Sequence, residues 1–462
     1  MLANNKVKLL NLTSLKPKNI KIIDPDLGDI DSKKFLYYEN LAKKFFVNNN
    51  LILFLGGNDS ESIAFYLIFL RYKQCQILLE QNINFSNLKL IIKKFQPDFL
   101  FYPKNIDIPK NYLIIFQLKK YYFLKKRTKS KLTIDKNLAI LISTSGTTGV
   151  SKFVKLSFDN IINNSISIQS YLKLNKKDVG ITTLPLAYSY GLSVINIHLL
   201  QDLKIVCNKK SIIEKGFWDL ISKYKVTNFS GVPFTFEMFD KLNFYEKNLF
   251  NLRFVTQAGG RLNNNIIYKI CNNFEKKKIN FFVMYGQTEA SPRISYIELK
   301  NLKKKINSVG QVIKGGKISI NQKNQEIIYE GLNIFKGYAL ERKDLVYCEN
   351  IKKLKTGDKG YLDSENYLYI TGRIKRDVKI YGKRLNLDIL EKFLYNRFRD
   401  KILCKSNENQ IIIFGIKKQN EKKIKKVISS EFGLPVLSIR FKKISKFPIN
   451  KNNKIDYSKL KF

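Results

Sequence analysis

"LISTSGTTGVSK", residues 141–152, sets two glycines and a run of hydroxyl side chains between an apolar stretch and a lysine. The preceding "LAILIS" (138–143) is apolar enough to be a buried strand. Beyond it, Thr144, Ser145, Gly146, Thr147, Thr148 and Gly149 offer hydroxyl donors and a backbone free to turn. Glycines let backbone N–H groups converge on an anion, hydroxyls add short bonds to phosphate oxygens, and Lys152 adds positive charge. A Walker A loop needs a Gly-Lys pair, which this stretch lacks, so any phosphate cradle here is of another kind. Taken alone it also reads as an ordinary turn. The decision rests on what the remaining chain supplies.

The chain has 462 residues, 44% of them hydrophobic, enough for sizeable cores in two or three domains or subdomains. Its 83 Lys+Arg against 38 Asp+Glu give +45, a balance that raises a polyanionic partner. Lys, Asn and Ile crowd the whole sequence, however, and no aromatic-interleaved basic stripe, zinc-finger spacing or RNP-like strand accompanies the charge. Compositional bias is therefore the preferred explanation, and no nucleic-acid partner is expected. The excess is steepest in residues 373–462, where 25 Lys+Arg meet 8 Asp+Glu. That segment is expected to meet something anionic, such as a phosphate-bearing cofactor or an acidic protein. Five cysteines lie far apart with no CxxC pair, which argues against a disulfide framework or structural zinc and for a reducing, cytoplasmic setting. The first residues have no apolar core of signal-peptide length, and no integral membrane segment is expected. His198, the sole histidine, sits in "VINIHLL" and reads as a packed core residue.

Strand-like runs alternate with helical patterns to about residue 370, the signature of an α/β layered fold. "NLILFLGG" (50–57) reads as strand and turn, "SESIAFYLIFLRYKQ" (60–74) as helix and "DFLFYP" (98–103) as strand. Past "SENYLYITGR" the pattern changes to a hairpin, "DVKIYGKRLNL", then an amphipathic helix with Ile389, Leu390, Phe393, Leu394 and Phe398 on one face. A strand, "NQIIIFGI", a charged helix, "EKKIKKVISSEF", and a basic tail follow. A boundary falls between Thr371 and Lys375, giving domains 1–372 and 373–462.

"TSGTTGVSK" resembles the phosphate-loop signature of the adenylate-forming superfamily, which includes acyl-CoA synthetases, peptide-synthetase adenylation domains and luciferases. Further signatures follow in the family's order: "QAGGRL" (257–262), "MYGQTEA" (284–290), "SVGQVIKGG" (308–316), "TGDKGYLD" (356–363), "GRIKRDVKIYGKRLNLDILE" (372–391) and "PINKNNKIDY" (448–457). Together they span about residues 50 to 460, and the whole is similar to a compact bacterial subgroup of AMP-dependent acyl-CoA synthetases or ligases. The resemblance implies a large αβαβα N-terminal domain, with two packed sheets and a small barrel-like β subdomain, followed by a small mobile α+β domain. It implies ATP, Mg²⁺ and either coenzyme A or a carrier-protein phosphopantetheine as cofactors and acceptor. A carboxylate would attack the α-phosphate of ATP, releasing pyrophosphate, and a thiol would then displace AMP.

By the same resemblance, Thr144, Ser145, Thr147, Thr148 and Lys152, with Gly146 and Gly149, hold the terminal phosphates. Glu289 would bind Mg²⁺ and Thr288 would contact phosphate. Tyr285 would stack on adenine, with Gly259, Gly260, Gly286 and Gln287 completing the nucleotide site. Asp358 would accept from the ribose hydroxyls, Arg373 would contact ribose or phosphate, Lys375 would be the hinge, and Lys454 would reach the α-phosphate. Lys379 and Gly382 would lie in the hairpin that faces the pantetheine arm. Ser151, Asn453 and the pair Ile449–Asn450 depart from the family's usual residues.

"LPLAYSYGLSVINIHLL" (184–200) matches the family's acyl-pocket motif and, with "GVPFTFEMF" (231–239), offers Tyr188, Tyr190, Phe234 and Phe236 as walls, Gly259 adjoining. The first segment carries no Asp to pair with a substrate ammonium, so a non-amino carboxylic acid, fatty or otherwise apolar, is expected. Two other classes stay open: a catalytically weakened nucleotide-binding homologue with a regulatory role, and a nucleic-acid binder motivated by charge alone.

Overall fold

A computed structural model describes residues 20–46, 49–128, 130, 132–143, 152–246, 249, 251–380, 383–407, 410–416, 421–450 and 454–461. The fold is mixed α/β. The chain divides into two compact units: the first comprises residues 1–304, 312–317 and 330–354, the second 305–311, 318–329 and 355–462. The strands of 355–373 thus cluster with the C-terminal residues, whereas the sequence pattern changes only after about 370. The 372/373 boundary remains a proposal about where the chain hinges.

The first unit is built on two sheets. In one, the strands run in the order Tyr338–Ala339, Phe153–Ser157, Leu138–Ser143, Cys75–Leu78, Leu51–Phe54, Phe99–Pro103, Tyr121–Lys126 and Tyr112–Gln117. The four middle strands from Leu138–Ser143 to Phe99–Pro103 are parallel and almost wholly buried, which is why they read as continuous apolar runs. "LAILIS" is one of them. It pairs antiparallel with Phe153–Ser157, Ser143 opposite Phe153. The helix Ser60–Arg71 starts where expected, because the Asp59 side chain accepts from the Ser62 N–H.

The other sheet orders Ile22–Ile23, Lys204–Val206, Val179–Ile181, Asn228–Gly231, Phe254–Gln257 and Asn280–Tyr285 in parallel, with Ser295–Glu298 antiparallel beside the last. The helices Phe158–Leu172 and Ser189–Leu199 pack on it through Ile168, Tyr171, Leu172, Tyr190 and Val194. His198 is fully buried there, with Nδ1 2.8 Å from the Val194 carbonyl oxygen.

In the second unit, Leu354–Leu362 and Leu368–Arg373 pair antiparallel. The hairpin Asp377–Ile380 and Lys383–Asn386 follows, then the sheet Leu403–Ser406, Ile411–Gly415 and Ile439–Lys443 with the helices Leu387–Phe398 and Glu421–Phe432. Leu390 and Leu394 enter the core, with Phe393 and Phe398 packed against it. Ile389 corrects the expected helix face: it is 44% exposed, one step off the stripe that its neighbours fill. No helix among the described residues is long and apolar enough to cross a membrane, and all five cysteines are free thiols.

Candidate functional site

In the first unit, the strand Asn280–Tyr285 delivers "YGQTEA" at its C-terminal end, and the backbone there doubles back tightly on itself. A Cβ on Gly286 would lie 1.8 Å from the Pro292 carbonyl oxygen and 3.0 Å from the Arg293 Cα, so only glycine fits. The Ile294 N–H donates to the Tyr285 carbonyl oxygen, and Asn333 Nδ2 donates to the Arg293 carbonyl oxygen (2.8 Å). Tyr285 itself is buried, paired opposite Ser295.

Glu289 follows in a short 3-10 turn, Thr288–Ala290. Its carbonyl oxygen accepts from the Phe335 N–H at 2.9 Å, and its Oε1 accepts from the Tyr338 hydroxyl at 3.0 Å. The Lys152 ammonium lies over the Tyr338 ring, 3.6 Å from its centroid. Tyr338 therefore links two expected site residues that lie 137 positions apart in sequence. Burial and the adjacent Glu289 charge raise its hydroxyl pKa, so it remains a neutral donor. Thr288 Oγ1 is 3.0 Å from Ser189 Oγ, which joins the "YGQTE" turn to the first turn of the helix Ser189–Leu199.

Gly259 has φ +89°, a left-handed conformation that suits glycine. Gly260 packs near Pro233 and accepts at its carbonyl oxygen from Gln257 Nε2 (2.8 Å). The four aromatics expected as acid-pocket walls differ in setting. Phe236 is fully buried against Phe281, and Tyr190 is 2% exposed with its hydroxyl 2.8 Å from Thr256 Oγ1. Tyr188 is half-buried and Phe234 is at the surface.

In the second unit, the strand register sets Asp358 directly opposite Arg373, and the guanidinium Nε lies 3.2 Å from Asp358 Oδ1. Lys454 joins them from 81 residues further along the chain than Arg373. Burial and the Arg373 charge hold its pKa down at about 8, with Asp358 opposing. The Lys454 N–H donates to Asn450 Oδ1 at 3.0 Å, which fixes the approach of the tail.

Lys375 is exposed in the 3-10 turn Ile374–Arg376. Its neighbour Arg376 donates to Asp388 (2.8 Å) and Glu391 (2.5 Å) and stacks 4.2 Å from the Tyr457 ring centroid. Tyr457 in turn donates to Glu391 at 2.7 Å, so this knot ties the turn to both the following helix and the tail.

Thr144, Ser145, Gly146, Thr147, Thr148, Gly149 and Gly382 lie outside the described residues, as does the side chain of Lys379. Ser151 and Asn453 lie outside them too. Tyr338 and Arg376 escape the sequence reading: nothing about either in isolation signals a role until folding sets it against its partner. Among the described residues, no group of three or more His, Cys, Asp or Glu could hold a metal ion by itself.

Residues 83–339 match the family described as AMP-binding enzyme. Among curated proteins, the chain is 30% identical over 269 residues to oxalate–CoA ligase of Saccharomyces cerevisiae, which covers 54% of this chain and 47% of that protein. It is 31% identical over 264 residues to 2-succinylbenzoate–CoA ligase of Oceanobacillus iheyensis, covering 55% and 53%. The chain thus spans about half the length of the curated relatives it matches. Among solved structures, the O-succinylbenzoate coenzyme A synthetase of Bacillus subtilis in complex with AMP superposes with a TM-score of 0.77 at 19% identity, covering 98% of each chain. Klebsiella oxytoca NpsA in complex with 3-hydroxyanthranilyl-AMSN gives 0.74 at 14% identity, covering 96% of each. These likenesses carry the fold.

Replacing Gly286 by alanine forces the Pro292 carbonyl to move, with an expected loss of about 1–3 kcal/mol. Thermal unfolding of Gly286→Ala checks this; an unchanged midpoint would contradict the tight return described above.

Proposed function

The chain belongs to the AMP-binding enzyme family, and from that premise we propose that it is an ATP-dependent acid–thiol ligase. A substrate carboxylate oxygen attacks the α-phosphorus of ATP and the bond to pyrophosphate breaks. A thiol then attacks the acyl carbon and AMP leaves. The single observation that carries this reading is the Asp358, Arg373 and Lys454 cluster, in which three separate motifs supply two cations around one carboxylate.

Asp358 is a strong acceptor suited to ribose hydroxyls, and its pairing with Arg373 pre-orients both groups. Lys454, on a long flexible stem, neutralises charge that grows on the α-phosphate only as the new bond forms. Lys152 and the residues 144–149 hold the outer phosphates, and Thr288 adds a hydroxyl. Tyr285, Gly286, Gln287, Gly259 and Gly260 line the base. Mg²⁺ fits this donor set, because it is held by one or two carboxylates together with substrate phosphates, and Glu289 supplies one carboxylate aligned by Tyr338. When bound, the ion supplies charge neutralisation across those phosphates. Lys375 serves as the hinge. By the family resemblance Lys379 and Gly382 are assigned to the acceptor, which we take to be coenzyme A, with carrier-protein phosphopantetheine as the alternative. Free thiols in every described cysteine suit a reducing, cytoplasmic compartment. The two curated relatives named above are ligases of oxalate and 2-succinylbenzoate rather than of a fatty acid, so the acid is proposed here only as a carboxylic acid without an α-amino group.

Pyrophosphate release and hydroxamate trapping across a panel of acids test the reading; ATP binding without turnover on any acid would favour a regulatory homologue instead. Lys454→Ala is expected to lose at least about 100-fold in adenylation while still converting supplied acyl-AMP to thioester, and equal loss in both halves would contradict its role.

The pH dependence has a definite sign. Lys454 works as the ammonium, so kcat/KM for ATP in adenylation, which reports the free enzyme, should fall as pH rises through about 8, and thioester formation from acyl-AMP should not follow that profile. Because its folded pKa lies below the unfolded 10.5, folding sheds a proton between those values, and Lys454 adds stability as pH rises from about 8 toward 10.5. Tyr338→Phe keeps the ring under Lys152 but frees Glu289. A several-fold rise in the Mg²⁺ concentration for half-maximal activity is expected, and an unchanged requirement would detach Tyr338 from the metal ligand.

A further inference from the structure

Arg293 is 3% exposed, and its charge has no carboxylate partner among the described residues. Its Nη2 donates to Ser193 Oγ at 3.1 Å, the guanidinium lies 4.4 Å from the Tyr190 ring centroid, and its Nε has no hydrogen-bond partner. The other arginines drawn out of solvent are built differently. Arg71 pairs with Glu39 at 2.7 Å, Arg342 with Asp98 at 3.0 Å, and Arg376 with both Asp388 and Glu391. Even the buried Lys155 reaches two carbonyl oxygens at 2.9 Å and Glu349 at 3.9 Å. A buried cation is stable when an anion answers it, and a ring face offsets only a minor part of the desolvation. The tyrosines around Arg293 do not supply that anion, since burial pushes Tyr171, Tyr188 and Tyr190 up to about 12 and keeps them neutral.

Its position says what does. The backbone of Arg293 lies against Gly286, in the "YGQTE" turn, and its side chain reaches the helix Ser189–Leu199 at Tyr190 and Ser193, within the stretch matched to the acid pocket. A guanidinium with an unused Nε donor is a fork shaped for a carboxylate. We infer that Arg293 receives a second carboxylate of the acid substrate, so that the enzyme activates dicarboxylic acids, one carboxylate reacting while the other meets the guanidinium. This inference rests on the ligase reading above. It keeps the expected acid without an α-amino group but gives it a second carboxylate in place of a fatty or otherwise apolar body.

The test compares matched acids with and without the second carboxylate: adipate against hexanoate, phthalate against benzoate, and 4-carboxyhydrocinnamate against hydrocinnamate. Hydroxamate formation is read on the wild type, Arg293→Met and Arg293→Lys. The wild type should favour at least one dicarboxylate over its partner by about 10- to 100-fold in kcat/KM. Arg293→Met should erase that preference mainly through KM, sparing the monocarboxylate, and Arg293→Lys should restore part of it. Preference for the monocarboxylate in every pair overturns the inference without needing any variant. So does an equal loss by Arg293→Met on both members of a pair, which marks a purely structural cation. Activation of monocarboxylates alone leaves the ligase reading standing, whereas no hydroxamate with any acid removes that reading and this inference together.

Discussion

At Gly286 the polypeptide returns so closely upon itself that a carbonyl oxygen occupies the place of a side chain. Much of the first unit's candidate site hangs on that approach. It holds the "YGQTE" turn against residues 292 and 293, and Asn333 bridges the carbonyl oxygens of Ala290 and Arg293. The segment from Asn333 onward then brings Phe335 to the Glu289 backbone and Tyr338 to its carboxylate. A hydrogen bond to a carboxylate and an ammonium over a ring are each modest in water, but both gain where solvent is partly excluded. The carboxylate is thereby aimed before any ligand arrives, and pre-organisation of this kind is what electrostatic catalysis uses.

The second unit organises its charges by register. Asp358 and Arg373 face one another because two antiparallel strands pair at that position, so their geometry is inherited from the ladder and requires little side-chain ordering. Lys454 is different, since it comes from a tail with little regular structure and is held by the Asn450 side chain and by the packing of Tyr457 on Arg376 and Glu391. A depressed ammonium pKa is the signature of that setting: burial and Arg373 both oppose the proton that Lys454 carries. An anion beside it would offset both penalties.

How far the sequence reads depends on the range of the interaction concerned. Strands such as Leu51–Phe54 and Leu138–Ser143, and the capped helix Ser60–Arg71, were legible because apolar runs and caps are local properties. Ile389 was misplaced because a five-residue stripe on one helix allows more than one facing, and the neighbouring sheet selects among them. Tyr338, Arg376 and Arg293 carried no local signal at all. One is a tyrosine among 25, and the others are arginines among 83 basic residues.

By itself the sequence determined the α/β character, which follows from periodicity, while the order of its motifs and their assignment to a nucleotide came from resemblance to the adenylate-forming superfamily. Only the tertiary structure decided which charges are answered and which are not. Pairing depends on contacts between residues as distant as Lys152 and Tyr338, and burial of a charge such as that on Arg293 is created by packing that no short stretch of chain encodes.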